Sequence, residues 1–201
     1  MRDFLMFSNR GATFSDFTLK DLPGSGGRMD LNARCVISAL WYSHGVREDT
    51  RFYISLNGKP GRPILICFDG ARIERISPDE RNIALWIKKS IKRLEKDKNE
   101  TEGWFETNNG ILLKYGDFQD LVSSFADRHL YLLDESGKEL RDAEIKSDPV
   151  FIVGDNKGLP AKQLQFLEEK KPEKIKLGPL SYFSTQSITL VHNELDLRNQ
   201  P

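Results

Sequence analysis

Pro149-Val150-Phe151-Ile152-Val153-Gly154-Asp155 is an unbroken apolar run that stops on a glycine and an acid. A strand with one face in water alternates apolar and polar residues. A run without alternation fits a strand covered on both faces, the habit of parallel sheets. Leu130 to Leu133 has the same character, and Ile175 to Leu177 forms another short strand that ends in Gly178-Pro179. Pro160 to Lys170 reads as an amphipathic helix between the second and third of these strands, and Ser187 to Leu197 as a final helix. Short apolar strands alternating with helices predict an α/β fold with a largely parallel sheet.

The residues upstream extend the pattern. Arg2 to Ser8 reads as a first strand, and a glycine-rich approach, Leu22-Pro23-Gly24-Ser25-Gly26-Gly27-Arg28, leads into a helix. Its apolar positions Met29, Ala33, Val36, Ile37 and Leu40 share one face, and its expected end is near Gly45. Arg51 to Leu56 and Pro63 to Phe68 are strands joined through Asn57-Gly58-Lys59-Pro60-Gly61. Ser77-Pro78-Asp79-Glu80 carries the signals of a helix start: Ser77 as cap, Pro78 in the first turn, and Glu80 closing a capping box. Lys96 to Thr107 is charged and turn-like, so a single domain over residues 1–201 is expected, with an insert or joint near 96–110. Ile111 to Tyr115 is a further strand, and Phe118 to Phe125 a short helix.

Composition limits the function classes. Lys plus Arg and Asp plus Glu both total 30, so net charge is zero and any RNA site must come from local charge or from assembly. Cys35 and Cys67 sit in apolar runs with no CxxC spacing, which fits two reduced thiols in a cytoplasmic protein. His44, His129 and His192 lie far apart, without metal-ligand spacing, so no metal is expected. No run approaches the roughly 20 apolar residues of a membrane span, and Met1-Arg2-Asp3-Phe4 does not open a signal peptide.

A nucleotide-type cofactor would not use the usual glycine loop. Gly24-Ser25-Gly26-Gly27 lies well past the first strand and does not match G-x-G-x-x-G, and no Walker A pattern occurs. The loops after Val153 and Leu177 offer another arrangement. Both expose backbone amides and carbonyls at the carboxyl edge of a parallel sheet, where open α/β sheets bind ligands. Glycine that merely makes the turn is the plainer explanation of each.

Leu22-Pro23-Gly24, Gly27-Arg28-Met29-Asp30, Ser43-His44-Gly45-Val46-Arg47-Glu48-Asp49 and Ser77-Pro78-Asp79-Glu80-Arg81 occur in order along the chain. Pro149 to Asp155 and Ile188-Thr189-Leu190-Val191-His192-Asn193 follow them. Together they resemble the archaeal tRNA pseudouridine N1-methyltransferases, the TrmY family, over essentially the whole length. The resemblance implies a SPOUT-type α/β knot with a C-terminal trefoil knot, a homodimer, S-adenosylmethionine as methyl donor and pseudouridine in the tRNA T-loop as acceptor. It implies neither a membrane nor a DNA partner. It places the donor against Leu133, Gly154, Leu177, Gly178, Pro179, Leu180, Ser181, Tyr182 and Ser187. Leu133 and Leu177 equally suit simple core packing. Where the family often carries His-Ala-Asn-His-Cys before Ile-Thr, this chain has Phe183-Ser184-Thr185-Gln186-Ser187.

Methyl transfer requires that donor and acceptor be aligned and that one proton leave the acceptor N–H. Asp30 and Asp79, near Arg28 and Arg81, are the catalytic candidates, although both equally suit first-turn helix acids. An adjacent arginine lowers a carboxylate's pKa and makes it a poorer base, which favours orientation and electrostatics. Arg28, Arg47, Arg81, Lys88 and Lys92 are the RNA-binding candidates; Lys89, Arg93, Lys96 and Lys98 crowd the same helix and its exit, and a solvated helix face is the alternative. Ribosomal RNA as substrate, or RNA binding without catalysis, are the competing functions.

Overall fold

A computed structural model describes residues 1–97, 103–107 and 109–198. Lys98 and part of the expected joint near 96–110 lie outside those residues. Eight strands form one sheet that runs through the whole described chain. Five are parallel, in the spatial order β10 (Glu173–Lys176), β8 (Leu130–Glu139), β9 (Val150–Gly154), β1 (Arg2–Ser8) and β4 (Thr50–Leu56). Antiparallel β5 (Ile64–Asp69), β7 (Ile111–Tyr115) and β6 (Phe105–Glu106) complete the far edge. The fold is therefore α/β with a mostly parallel sheet, as expected. The strand β6 lies inside the segment expected to be only a loop.

The side-chain alternation of the strands divides the core in two. Phe4 and Met6 of β1, with Phe52, Ile54, Phe151 and Val153, belong to the larger cluster. That cluster includes residues of α1 (Met29–Leu40), α2 (Glu80–Lys96) and α5 (Ser184–Arg198). Leu5 and Phe7, with Tyr53, Cys67, Val150 and Ile152, join residues of α3 (Phe118–Ser123) and α4 (Ala161–Lys170) on the other side. Helices thus flank both faces, which explains why β9 and the centre of β1, Phe4 to Phe7, are apolar without interruption. Both cysteines are buried and free.

Several boundaries differ from the sequence reading, each for a local reason. The helix α1 stops at Leu40, because Trp41 is extended (φ −109°, ψ 142°) and opens a small hairpin, β2 (Trp41–Tyr42) with β3 (Gly45–Val46). The cap of α2 is Asp79, not Ser77: its Oδ1 accepts from Asn82 N at 2.8 Å. Glu80 does not close a capping box; its Oε1 accepts from Arg34 Nη1 at 3.2 Å. The helix α5 begins at Ser184, one turn before Ser187, whose N–H already donates to Phe183 O at 2.9 Å. Ser187 therefore does not cap that helix.

The entry to α1 depends on Gly27 (φ +60°), where a Cβ would come within 1.8 Å of Arg10 O. Arg28 follows in the left-handed region (φ 71°, ψ 33°), a conformation that costs a non-glycine residue roughly 1 kcal/mol or more.

The C-terminal helix is fixed along its length. Ile188, Val191, His192 and Leu195 are buried at helical spacing, and α5 packs on α1. His192 Nε2 lies 2.9 Å from Ala39 O and Nδ1 lies 3.2 Å from Arg2 Nη1. A carbonyl can only accept and a guanidinium can only donate, so the ring is the neutral Nε2–H tautomer. Asp196 takes Arg2 at 2.9 Å and Arg47 at 3.0 and 2.7 Å. Arg198 ends the helix on Ala143 O at 2.8 Å.

Burial, reinforced by the charges of Arg47 and Arg2, pushes the His192 pKa down to about 3. The unfolded chain, with a pKa near 6.5, therefore binds the proton first as pH falls. Stability from this group is complete above about pH 6.5 and is lost toward pH 3, at a limiting slope of about 1.4 kcal/mol per pH unit. Thermal melts should fall from pH 7 to 5, and His192→Gln should flatten that window. An unchanged slope in the variant would refute the assignment.

Candidate functional site

The carboxyl ends of β9 and β10 open onto a cavity of about 1070 Å³. Its floor is the strand run singled out above. Gly154 ends β9, and its carbonyl accepts from Ser184 Oγ at 2.8 Å, which ties the start of α5 to the strand end. Asp155, also buried, takes Asn9 N at 2.7 Å, Asn9 Nδ2 at 2.8 Å and Lys157 N at 2.8 Å. These bonds hold β1, β9 and the turn after β9 as one piece. A Cβ on Gly154 would lie 2.7 Å from the backbone of Gly158. The glycine therefore permits close packing between the strand end and that turn.

The opposite wall is the loop from Leu177 to Tyr182 together with a bulge in β8. The register of β8 against β10 jumps from Leu132 to Lys138, which displaces residues 133–137 from the ladder. Within that bulge Asp134 Oδ1 accepts from Ser136 N at 2.8 Å and Ser136 Oγ at 2.6 Å, forming a local turn. Leu133, Asp134 and Glu135 line the cavity as a result. Leu180 and Phe183 stand at the rim, 67% and 75% exposed, so the mouth is apolar as well as polar.

Of the expected donor residues, Leu133, Gly154, Leu177, Gly178, Leu180, Ser181, Tyr182 and Ser187 all line this cavity. Pro179 is exposed and is not in the lining. Gly178 and Gly154 bring main chain to the wall, Leu133 and Leu177 are apolar, and polar side chains such as Asp134, Asn156, Ser181 and Tyr182 share the lining. A wall of mixed apolar and polar character suits a ligand such as S-adenosylmethionine, which has both. The residues present fit the donor.

Arg28 lines the cavity, and so does Arg34, which the sequence reading passed over. Arg28 Nε and Nη2 meet Asp30 Oδ1 and Oδ2 at 3.0 and 3.1 Å, and Arg34 Nη2 meets Oδ2 at 2.8 Å. The i, i+4 spacing of Asp30 and Arg34 on α1 was the available signal. Asp30 is itself buried and behind the cavity surface. Burial pushes its carboxyl up, but the hydrogen bond from Arg28 and the charges of Arg28 and Arg34 outweigh it and hold the pKa below the usual range. The acid is a fixed anion between two guanidinium groups.

The other expected residues fall elsewhere. Asp79 is the α2 cap and does not line the cavity. Arg47 is committed to Asp196. Lys88 Nζ donates to Phe17 O at 2.6 Å, so it holds the loop before α1. Arg81 and Lys92 are exposed on α2. Among the described residues, no group of His, Cys, Asp and Glu could hold a metal ion, and no helix is long and apolar enough to cross a membrane.

Comparison with known proteins places this geometry in a family. A family profile described as "Putative SAM-dependent RNA methyltransferase" matches residues 1–200. The tRNA (pseudouridine(54)-N(1))-methyltransferase of Methanocaldococcus jannaschii is 40% identical, over 98% of this chain and 97% of its own length. The protein of the same name from Methanococcus maripaludis is 44% identical over 98% of each. Among solved structures, Archaeoglobus fulgidus Nep1 bound to S-adenosylhomocysteine aligns with a TM-score of 0.65 at 13% identity, over 98% of this chain and 97% of that one. That likeness shows a shared fold.

Gly154→Val should force the 155–159 turn away and weaken donor binding in calorimetry by at least roughly tenfold, since several backbone contacts at about 1 kcal/mol each depend on it. Circular dichroism should remain that of a folded protein. Normal donor affinity in the variant would show that Gly154 is only a turn residue. With the cavity, the profile and the full-length relatives in agreement, the chain belongs to this family of S-adenosylmethionine-dependent RNA methyltransferases.

Proposed function

We propose that this protein methylates N1 of pseudouridine 54 in the T-loop of tRNA, with S-adenosylmethionine as donor. The observation that carries the reading is the carboxyl-edge cavity, walled by the backbone at Gly154 and Gly178 and rimmed by Arg28 and Arg34. Relatives sharing 40–44% identity over their whole length carry the name of that activity. When bound, the donor supplies a methyl group on a sulfonium, whose transfer is an in-line displacement.

The residues of this chain align the reactants. Leu133 and Leu177 give an apolar wall, and the main chain at Gly154 and in the 177–182 loop fixes the donor's polar groups. Arg28 and Arg34 set positive charge at the mouth, where a flipped nucleotide would enter and charge would spread over its ring carbonyls. Asp30 holds both arginines, and because its carboxylate is already engaged it acts as a positioning group. The N1 proton passes to water. Arg81 and Lys92 on α2 extend the positive surface toward the RNA.

Assembly and knotting complete the reading. We read the C-terminal segment as a trefoil knot, a reading supported by β10 lying at the sheet edge beside β8 and by α5 packing on α1. Two copies associate through the C-terminal half, where Leu180, Phe183 and Leu197 leave apolar surface exposed. The protein works in the cytoplasm, where Cys35 and Cys67 stay reduced.

Donor and tRNA transcripts bearing pseudouridine or uridine at position 54, beside a ribosomal RNA pool, make the primary test. Mass spectrometry should find one methyl group on the pseudouridine transcript alone. Methylation of ribosomal RNA instead would redirect the substrate, and donor binding without transfer would leave an RNA-binding protein. Asp30→Asn should raise KM for tRNA by about tenfold, because it leaves Arg28 without its charged partner and Arg34 with Glu80 alone, with the shape of the pH–rate profile kept. Loss of an acidic limb in that variant would make Asp30 the proton acceptor. Sedimentation should return twice the chain mass; a strictly monomeric active enzyme would refute the dimer.

A further inference from the structure

A second cavity, of about 390 Å³, lies at the amino-terminal edge of the same sheet. Arg128 and His129 enter it from the approach to β8, Lys146 from the turn before β9, and Lys170 and Lys171 from the end of α4. Glu173 is the only acid among the described residues of the lining. In a chain of zero net charge, five basic side chains from three separate segments in one concavity require an explanation.

Their anchoring is asymmetric. Asp3, fully buried in β1, carries two arginines: Arg51 at 2.9 and 3.1 Å, and Arg128. Two guanidinium charges against one carboxylate leave one positive charge at the floor of the cavity. Arg128 is held there by Asp148 O, at 2.9 Å from Nε and 2.6 Å from Nη2. Lys146 pairs with Glu144, whose side chain is 78% exposed, so a competing anion displaces that pair at little cost. Lys171 has no ion-pair partner among the described residues and adopts φ +51°, a helix-terminal conformation for which glycine is the default.

A lysine near a helix C-terminus complements the helix dipole, and that accounts for Lys170. It does not account for a lysine in the strained position beyond it, nor for Arg128, His129 and Lys146 arriving from other elements. We propose that this cavity binds a phosphate of the RNA backbone, as a second point of attachment for the same substrate on the sheet edge away from the donor. This rests on the reading of the protein as a tRNA-modifying enzyme. The four steps of strand from Val150 to Gly154, at about 3.3 Å each, separate the two edges by roughly 13 Å, a span that a folded RNA crosses easily.

The test compares the parent protein with Lys146→Gln/Lys171→Gly. Glycine at 171 relieves the backbone strain, so the variant should melt no lower than the parent. Its Kd for tRNA should rise about 5- to 20-fold near 0.1 M salt, and its log–log salt slope should be shallower by about one, for the single phosphate no longer neutralised. Donor affinity and kcat at saturating tRNA should not change. Equal Kd and slope in parent and variant would overturn the site. Inorganic phosphate, followed by amide NMR shifts at Lys171, separates the sources of the anion. Saturation by millimolar phosphate, together with an unchanged tRNA isotherm in the variant, would assign the cavity to a free phosphate compound and overturn the RNA contact. A parent that neither binds nor methylates tRNA would overturn the proposed function itself.

Discussion

The junction where β9 ends is the constraint on which the site depends. Asp155 gathers Asn9 from the end of β1 and Lys157 from the following turn, and Ser184 Oγ reaches Gly154 O from the start of α5. Three segments distant in sequence meet at two residues. None of these bonds is strong alone, since a typical buried hydrogen bond nets about 1 kcal/mol. Their effect is geometric: they fix the direction of β9's exit, and so the floor of the cavity. Moving the turn by even a fraction of an ångström disturbs Gly158, because no room exists between it and Gly154.

Charge is handled by one recurring device. Asp3, Asp30 and Asp196 each sit between two arginines: Arg51 with Arg128, Arg28 with Arg34, and Arg2 with Arg47. Each carboxylate joins two long side chains at one point, and arginine's planar fork suits that bridging. At Asp196 the result is structural, a clamp between α5 and the amino-terminal half. At Asp30 the same device holds guanidinium groups on the rim of the donor cavity. A carboxylate stabilised this way is a poor base.

The fold class was legible because the strands buried on both faces carry no polar interruption: Val150 to Val153 announces a parallel strand by composition alone. The loops that line the cavity were legible for a related reason, since glycine after such a strand leaves main chain at the carboxyl edge. Boundaries were less so. Ser77 and Asp79 are both good caps, and what decides between them is Asn82, whose N–H meets Asp79 and whose Oδ1 accepts from Ser77 N at 3.0 Å. Ser187 looks like a cap in the sequence, but the helix begins a turn earlier, with Gln186 Oε1 accepting from Phe183 N. The bulge in β8 was invisible because its cause lies in β10: Lys174 and Ile175 approach Gly137 so closely that a Cβ there would lie 2.4 Å from backbone. Arg34 was missed because an exposed helical arginine is ordinary until the cavity beside it is known.

The segment Phe183 to Ser187 at the start of α5 is held by its own side chains. Gln186 Oε1 accepts from Phe183 N at 3.0 Å, half of a capping box at the start of α5. Ser184 supplies the bond to Gly154, and Thr189 Oγ1 donates back to Thr185 O at 3.0 Å. The helix start is thus closed by these side chains, and they fix the path of the main chain along the cavity wall. A cavity lined by main chain depends on that path more than on the side chains that set it.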